Sequence, residues 1–536
     1  MADHSNYDVI IIGGGPGGIG AAMRAVDFGL KAALVEKNYL GGCCVNVGCV
    51  PSKALLFGSS LYKRANDKKK LQSFGVRLTE NEQPKFDLGI LQEKILATQQ
   101  LQRQQLQKLL EERGVTFYSG EAQLQDARTI CIKRSGIEDK LLTTDNVIIA
   151  VGSRPKDLPS CKFDGKVIIS SDSINDIREV PSDIVIIGTG AIGLELGTTM
   201  NRLGSHVTFL DFAEMIGAGI DADISQQHKE IMEKSGITFH MNVSVEGVDV
   251  LKSDSLHGDM KESARAVVHY MHNDTKEKAS VNASLVFVCV GRVPSIPDSL
   301  KLIESTSDSA SSSHHPSSSS EKSQASQIKI EKDGTFAVDE NLMTSVENIF
   351  AIGDCVKGHR LAHKAEEDGI KVIDFILSRK GVDVENKLPS LTPSCTLSPS
   401  HIPCVIYTDP EIAFVGETEH SLEKAGWKKI DNKEECKKCQ KDAEKEFCAE
   451  VFRFNDNCRD TTDEQQNGFI KTLYDTKTHR ILGCHIHSHT AGDLIGEAVL
   501  AVMYHIPIHE FGNVPHAHPF FKSFRFMRKT GCSLKG

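Results

Sequence analysis

Cys43, Cys44 and Cys49 crowd into the stretch GGCCVNVGCVPSK, residues 41–53. Thiols at such spacing can exchange disulfides, bind a metal or lie buried and inert, and only their surroundings decide among these. The segment after Cys49 reads as a helix, and a thiol near a helix N-terminus exchanges readily. A second group with chemical capacity is the histidine pair of PHAHPFF, His516 and His518, because imidazole moves protons near neutral pH. The plainer reading of a histidine before proline is a turn residue. Two acids, Glu36 and Asp211, each close an apolar run and could accept hydrogen bonds from ribose hydroxyls.

Such groups need elements to hold them, and a repeat supplies two. YDVIIIGGGPGGIG at 7–20 has a counterpart in SDIVIIGTGAIGLE at 182–195. Each is an apolar run followed by G-x-G-x-x-G, with Gly13, Gly15 and Gly18 in one copy and Gly188, Gly190 and Gly193 in the other. The acid follows the first glycine by 23 residues in both copies. Strand, glycines, helix, strand and acid in that order form a dinucleotide fingerprint, and two matched copies predict two such sites. The glycines turn the chain sharply and let backbone approach a pyrophosphate held at a helix N-terminus. Asp211 favours NAD over NADP, since it would repel a 2′-phosphate and no arginine lies between it and Arg265. NVIIAVGSRP at 146–155, with Gly152, and LVFVCVGRVP at 285–294, with Gly291, read as the strands that close the two sheets. NIFAIGDC at 348–355 is a further strand, ending in Gly353 and Asp354, where an acid can hold a second polyol such as the ribitol of a flavin.

The rest of the chain sets limits. It has 536 residues, 40% hydrophobic and 25% charged, with a formal net charge of −10. It is therefore a multidomain globular chain without the basic patch of a nucleic-acid binder. No apolar run is long enough to span a bilayer, so no membrane partner is expected. The first strand begins so close to Met1 that no presequence is expected either. Fifteen cysteines spread over this length imply reduced thiols, with any disulfide catalytic. LQEKILATQQLQRQQLQKLLEERG, 91–114, has helical periodicity and a glycine stop. The Ser-rich run 305–327 reads as a disordered surface loop. The charged insertion 431–448 carries Cys436, Cys439 and Cys448, with Cys458 beyond; it reads as a solvated loop rather than a zinc site, and no metal is expected. HIHSH at 485–489 alternates like one face of an interface strand.

These motifs together resemble the pyridine nucleotide–disulfide oxidoreductases over nearly the whole chain: the G-G-x-C-x-N-V-G-C-V-P-S-K run, both glycine fingerprints, the A-I-G-D motif and HAHP. Within that family CVPSK and LAHKAEEDG, 361–369, are similar to the dihydrolipoamide dehydrogenase branch. The resemblance implies an α/β fold with two Rossmann-like dinucleotide-binding domains, for FAD and NAD, plus a C-terminal α+β dimerisation domain. The expected division is 1–155 and 290–370 for FAD, 156–289 for NAD, and 390–536 for the dimer interface.

The same resemblance implies roles. Cys44 is the thiol that exchanges with dihydrolipoamide, and Cys49 lies against the flavin. Cys43, where the family usually has Thr, is a bystander. Lys53 approaches the flavin and pairs with Glu195. Gly13, Gly15, Gly18, Glu36, Gly152, Gly353 and Asp354 bind FAD with Lys53, while Gly188, Gly190, Gly193, Asp211 and Gly291 bind NAD. His518 is the base, given by the partner subunit of a homodimer, and His516 is its neighbour. Dihydrolipoamide is oxidised with NAD⁺, and the implied partner is the lipoyl domain of a 2-oxo-acid dehydrogenase or glycine-cleavage complex. By resemblance the location is the mitochondrial matrix; by the missing presequence it is cytoplasmic. One departure stands out. The family places Glu five residues after the catalytic histidine, and here that position is Ser523. Reduced activity, a substitute carboxylate or an altered C-terminal reading frame would each account for it. Another disulfide reductase of the same fold, glutathione reductase-like, and a non-catalytic FAD-binding subunit are the alternatives.

Overall fold

The first apolar run, Asn6–Ile12, lies at the centre of a seven-stranded sheet. Val9, Ile10 and Ile11 are fully buried, so both faces of this strand are covered, which is why its sequence reads as an unbroken apolar run instead of alternating. It pairs in parallel with Ala32–Glu36 on one side and Ile137–Ile149 on the other. Thr116–Ser119 extends the sheet beyond Ala32–Glu36, and Ile349–Ala351 pairs in parallel with Ile137–Ile149. On one face the helix Pro16–Asp27 packs Ala21, Ala22 and Ala25 into a core shared with Val372, Ile373 and Ile376 of the helix Ala362–Arg379.

This is a computed structural model, and it describes residues 6–77, 83–134, 136–251, 265–301, 327–382, 398–431, 445–454, 461–464 and 468–515. The chain forms two compact units. The first comprises 1–51, 92–156 and 292–391, and the second 52–91, 157–291 and 392–536.

The second unit repeats the parallel plan. Its five-stranded sheet runs Thr238–His240, His206–Leu210, Asp183–Ile187, Leu285–Val288, Ile168–Ser170, and every pairing is parallel. A three-stranded antiparallel sheet, Val243–Val250, Ala266–His272 and Lys278–Ala283, accompanies it. A six-stranded sheet is built from the C-terminal part: Cys404–Ile406, Glu411–Gly416, Ile481–Ser488, Phe469–Asp475, Glu446–Arg453 and Lys428–Lys429. The helix Ala491–Met503 covers it, burying Leu494, Ile495, Ala498 and Val502. The first sheet adds two antiparallel strands, Thr129–Arg134 and Glu121–Leu124, at the edge beyond Ile137–Ile149. Two α/β sheets with parallel centres plus a C-terminal α+β domain are thus the fold class read from the sequence.

The long helical pattern forms Leu88–Glu112, and Gly114 follows it with φ +87°. Most of the Ser-rich run lies outside the described residues, as do Cys436, Cys439 and Cys458. Cys448 corrects the reading of its insertion. It stands in the strand Glu446–Arg453, 1% exposed, packed with Phe454, Ile470 and Cys484. It is also disulfide-bonded, against the expectation that any disulfide would be the redox pair. The charged run stops at Lys445, and the apolar side chains of EFCAEVFR can only be covered by joining the sheet.

Candidate active site

In the first unit the chain turns from Ile12 into the helix Pro16–Asp27 through glycines whose missing side chains make the turn possible. A Cβ on Gly13 would stand 2.3 Å from the carbonyl oxygen of Ala150, and one on Gly18 would stand 1.9 Å from that of Gly13. Gly13 also adopts φ +114°. Gly15 caps the helix with no side-chain hydrogen bond, so no side chain blocks the first amides at the positive end of the dipole. Glu36 ends the neighbouring strand. Its Oε2 accepts from the Gly14 amide at 2.7 Å and its Oε1 from the Asn38 amide at 2.7 Å. A carboxylate fixed by two backbone amides beside an uncapped helix end suits a nucleotide's ribose and pyrophosphate.

Gly152 and Gly353 both have positive φ, +67° and +70°. Gly353 donates its amide to Asp368 at 2.9 Å, and Lys364 holds the same carboxylate at 2.6 Å. Asp354 accepts from the Ser153 hydroxyl at 2.5 Å, while Arg292 Nε donates to that hydroxyl at 2.9 Å. Ser153 and Arg292 are thus part of the acid's setting, and neither was singled out from the sequence.

The cysteines lie on two consecutive helices of unequal length. Cys43 and Cys44 are on Gly42–Asn46, and Cys49 begins Cys49–Asn66. Cys44 is half-buried and Cys49 exposed. Asn46 sits at the joint. Its Nδ2 donates to the carbonyls of Leu40 at 3.1 Å and Gly42 at 2.7 Å. Its Oδ1 accepts from Arg103 Nε at 2.5 Å, and its backbone carbonyl accepts from Gln99 Nε2 at 2.9 Å.

The second unit builds its glycine turn the same way. A Cβ on Gly188 would lie 2.5 Å from the carbonyl oxygen of Cys289, and one on Gly193 would lie 2.2 Å from that of Gly188. Gly190 caps Ala191–Arg202, again without a side-chain bond. Asp211 Oδ2 accepts from both the amide and the hydroxyl of Thr189, at 2.5 and 2.6 Å, and its Oδ1 accepts from the Ala213 amide at 2.9 Å. Gly291, with φ +100°, follows the closing strand.

Lys53 lies one turn after Cys49 on the same helix. Its Nζ is 2.6 Å from Glu195 Oε2, and the ammonium stands 4.3 Å from the Tyr407 ring centroid. Glu195 is buried, and its other oxygen accepts from the Tyr407 amide at 3.1 Å. Burial, with the Glu195 charge behind it, pushes the nearby Cys404 thiol up to about 11. Two residues beyond Tyr407, Asp409 holds His489 at 2.9 Å, Arg202 at 3.1 Å and Lys63 at 3.3 Å. Burial opposes its ionisation, but the hydrogen bond from His489 and the charges of Arg202 and Lys63 keep its carboxyl well below the usual range. Asp409 thereby ties the helix of Lys53 to the helix of Glu195, a role with no local signature in the sequence.

The alternating histidines do share a strand face. His485 and His487 are fully buried on Ile481–Ser488. His485 Nε2 is 2.8 Å from the Glu417 carbonyl, and His487 shares a 3.0 Å hydrogen bond with His228. Beside them Lys471, 3% exposed, meets Asp221, Asp223 and Glu419 at 2.8, 2.7 and 2.6 Å. Burial opposes its charge, and the three carboxylates outweigh that and hold it protonated. His516, His518 and Ser523 lie outside the described residues.

A family model described as pyridine nucleotide-disulphide oxidoreductase matches residues 7–305 and 315–369, and one for the dimerisation domain of that family matches 402–526. The chain is 33% identical over 515 residues to Dihydrolipoyl dehydrogenase 2, mitochondrial, of Arabidopsis thaliana, covering 96% of this chain and 87% of that one. It is also 33% identical, over 516 residues, to leghemoglobin reductase of Glycine max, covering 96% and 85%. Among solved structures, LpdA of Mycobacterium tuberculosis superposes with a TM-score of 0.77 at 20% identity, covering 98% of each chain, which shows a shared fold.

Proposed function

Because the chain belongs to the pyridine nucleotide-disulphide oxidoreductase family, we propose that it is a dihydrolipoyl dehydrogenase, oxidising dihydrolipoamide with NAD⁺ through the Cys44 and Cys49 pair. The observation that carries this reading is the redox turn. Its two thiols stand on consecutive helices, joined by a fixed Asn46, with the Lys53–Glu195 pair one helical turn further on. Its relatives among dihydrolipoyl dehydrogenases match along 96% of the chain.

The residues divide the work. With the pair oxidised, one substrate thiolate attacks Cys44 Sγ; the Cys44–Cys49 bond breaks and Cys49 leaves as thiolate. The second substrate sulfur, its proton taken by His518 of the other copy in a homodimer, attacks the first. The mixed disulfide breaks, Cys44 leaves as thiolate, and lipoamide departs as a cyclic disulfide. Two electrons now reside on the cysteine pair. FAD, held by Gly13, Gly15, Gly18, Glu36, Gly152, Gly353 and Asp354, supplies two-electron transfer between this dithiol and NAD⁺. The uncapped helix end beside Glu36 suits it. NAD⁺ is taken by Gly188, Gly190, Gly193, Asp211 and Gly291. Lys53 presents a fixed positive charge, kept in place by Glu195 and the Tyr407 ring. The remaining C-terminal domain carries the dimer contact, in keeping with its family model.

The acyl-carrying partner is a lipoyl domain of a 2-oxo-acid dehydrogenase or glycine-cleavage complex. Several relatives carry mitochondrial names, which supports the matrix. No helix among the described residues is long and apolar enough to cross a membrane. An anaerobic titration of the purified protein with dihydrolipoamide, followed by absorbance, tests the reading. Flavin reduction with stoichiometric lipoamide is expected; a flavin-loaded protein inert to dihydrolipoamide but reduced by NADH would overturn it.

A further inference from the structure

The joint between the two cysteine-bearing helices is held from outside by two residues of one helix, Arg103 and Gln99, with no part in the exchange chemistry. Gly42–Asn46 has only 5 residues, too few to stabilise itself without side-chain support. Asn46 answers from within the turn by donating its Nδ2 to the Leu40 and Gly42 carbonyls. Those bonds use the amide nitrogen and require its oxygen to point the other way. Arg103 Nε meets that oxygen at 2.5 Å, so the guanidinium selects one of the two orientations of the amide. Arg103 is itself fixed, because its guanidinium stacks 4.0 Å over the Tyr39 ring. One turn earlier on Leu88–Glu112, the buried Gln99 takes the Asn46 backbone carbonyl. A 25-residue helix thereby grips the redox turn midway between Cys44 and Cys49.

We propose that Arg103, assisted by Gln99, is a positioning residue for the redox pair: it fixes Asn46, and through Asn46 the spacing and approach of Cys44 and Cys49. The proposal rests on the assignment of Cys44 and Cys49 as the redox pair. Two thiols held at bonding distance close a disulfide at high effective concentration, and a loosened joint lowers that concentration. The helix contributes geometry to the equilibrium, and the thiols contribute the bond.

The test is the reduction potential of the pair in the purified holoprotein. It is poised in dithiothreitol redox buffers, alkylated and read by mass spectrometry. Arg103→Gln should make the disulfide about tenfold easier to reduce, a shift of about 30 mV toward more oxidising potential. Asn46→Ala should shift it at least as far, and the double variant no further than Asn46→Ala alone, because both act through one contact. Arg103→Lys, which keeps charge without the planar fork, should recover only part of the shift. Flavin reduction by NADH should stay within about twofold of the parent. An unchanged potential in Arg103→Gln, or additive shifts in the double variant, overturns the proposal. If Arg103→Gln does not fold, Gln99→Ala carries the same test, with a smaller shift expected and an unchanged potential again overturning it. A parent protein in which Cys44 and Cys49 never form a disulfide would instead refute the redox assignment.

Discussion

Lys53 Nζ and Glu195 Oε2 lie 2.6 Å apart, although 142 residues separate them in the chain. The pair is asymmetric: Lys53 is 39% exposed and Glu195 9%. The carboxylate therefore depends on its partners, the ammonium and the Tyr407 amide, more than the ammonium depends on it. Glu195→Gln keeps the shape and removes the charge. Turnover should fall roughly 10- to 100-fold, with the loss on the NADH side of the reaction. Stopped-flow reduction of the flavin by NADH reads it; an unchanged rate would show that the ion pair is only structural.

The two cysteines should separate cleanly by substitution. Both Cys44→Ser and Cys49→Ser should lose dihydrolipoamide oxidation while retaining NADH-driven dye reduction. Incubated with lipoamide, Cys49→Ser should accumulate a mixed disulfide on Cys44, visible by mass, and Cys44→Ser should accumulate none on Cys49. The reverse pattern would exchange the two roles.

Asp211 should set the choice of nicotinamide. Its carboxylate is locked by Thr189 and Ala213, so it cannot swing away from a 2′-phosphate. NAD⁺ should be preferred by a few kcal/mol, each 1.4 kcal/mol being about tenfold in kcat/KM. Asp211→Ser should lose most of that preference. Equal kcat/KM for the two nucleotides in the parent protein would remove Asp211 from this role.

His228 makes a prediction about stability. Burial lowers its pKa from 6.5 to about 4, with Asp409 opposing the shift. The unfolded chain takes up this proton near pH 6.5, and the folded chain only near 4. Stability from this group is therefore complete above 6.5 and is lost as pH falls through that window, by at most about 3 kcal/mol. His228→Gln can still hydrogen-bond His487 but cannot titrate. Denaturant unfolding between pH 7 and 4 should show a shallower slope for the variant, and identical slopes would mean that His228 does not titrate on unfolding.

Much of the fold was legible because its signals are local. Unbroken apolar runs mark strands covered on both faces, and a glycine between strand and helix can be demanded by a contact within a few residues, as Gly18 shows against the Gly13 carbonyl. The cysteine insertion misled because charge dominates 431–445 while the burial of Cys448 depends on pairing with Phe469–Asp475. Arg103 was read only as one polar residue on a long helix. Its partner Asn46 is 57 positions away, and no periodicity points from one to the other.

By itself the sequence determined the two nucleotide-type sheets, the acids that end their second strands and the cysteine pair on a turn before a helix. Those features follow from what backbone and side chains can do within one βαβ unit. The Lys53–Glu195 pair was implied by the family resemblance; only the tertiary structure decided which other groups meet: Lys53 with Tyr407, Asp409 with Arg202, Lys63 and His489, Asn46 with Arg103. Periodicity records which face of an element is covered. Which polar group covers it depends on how distant elements pack, and a buried charge or amide takes the partner that packing brings within hydrogen-bond reach.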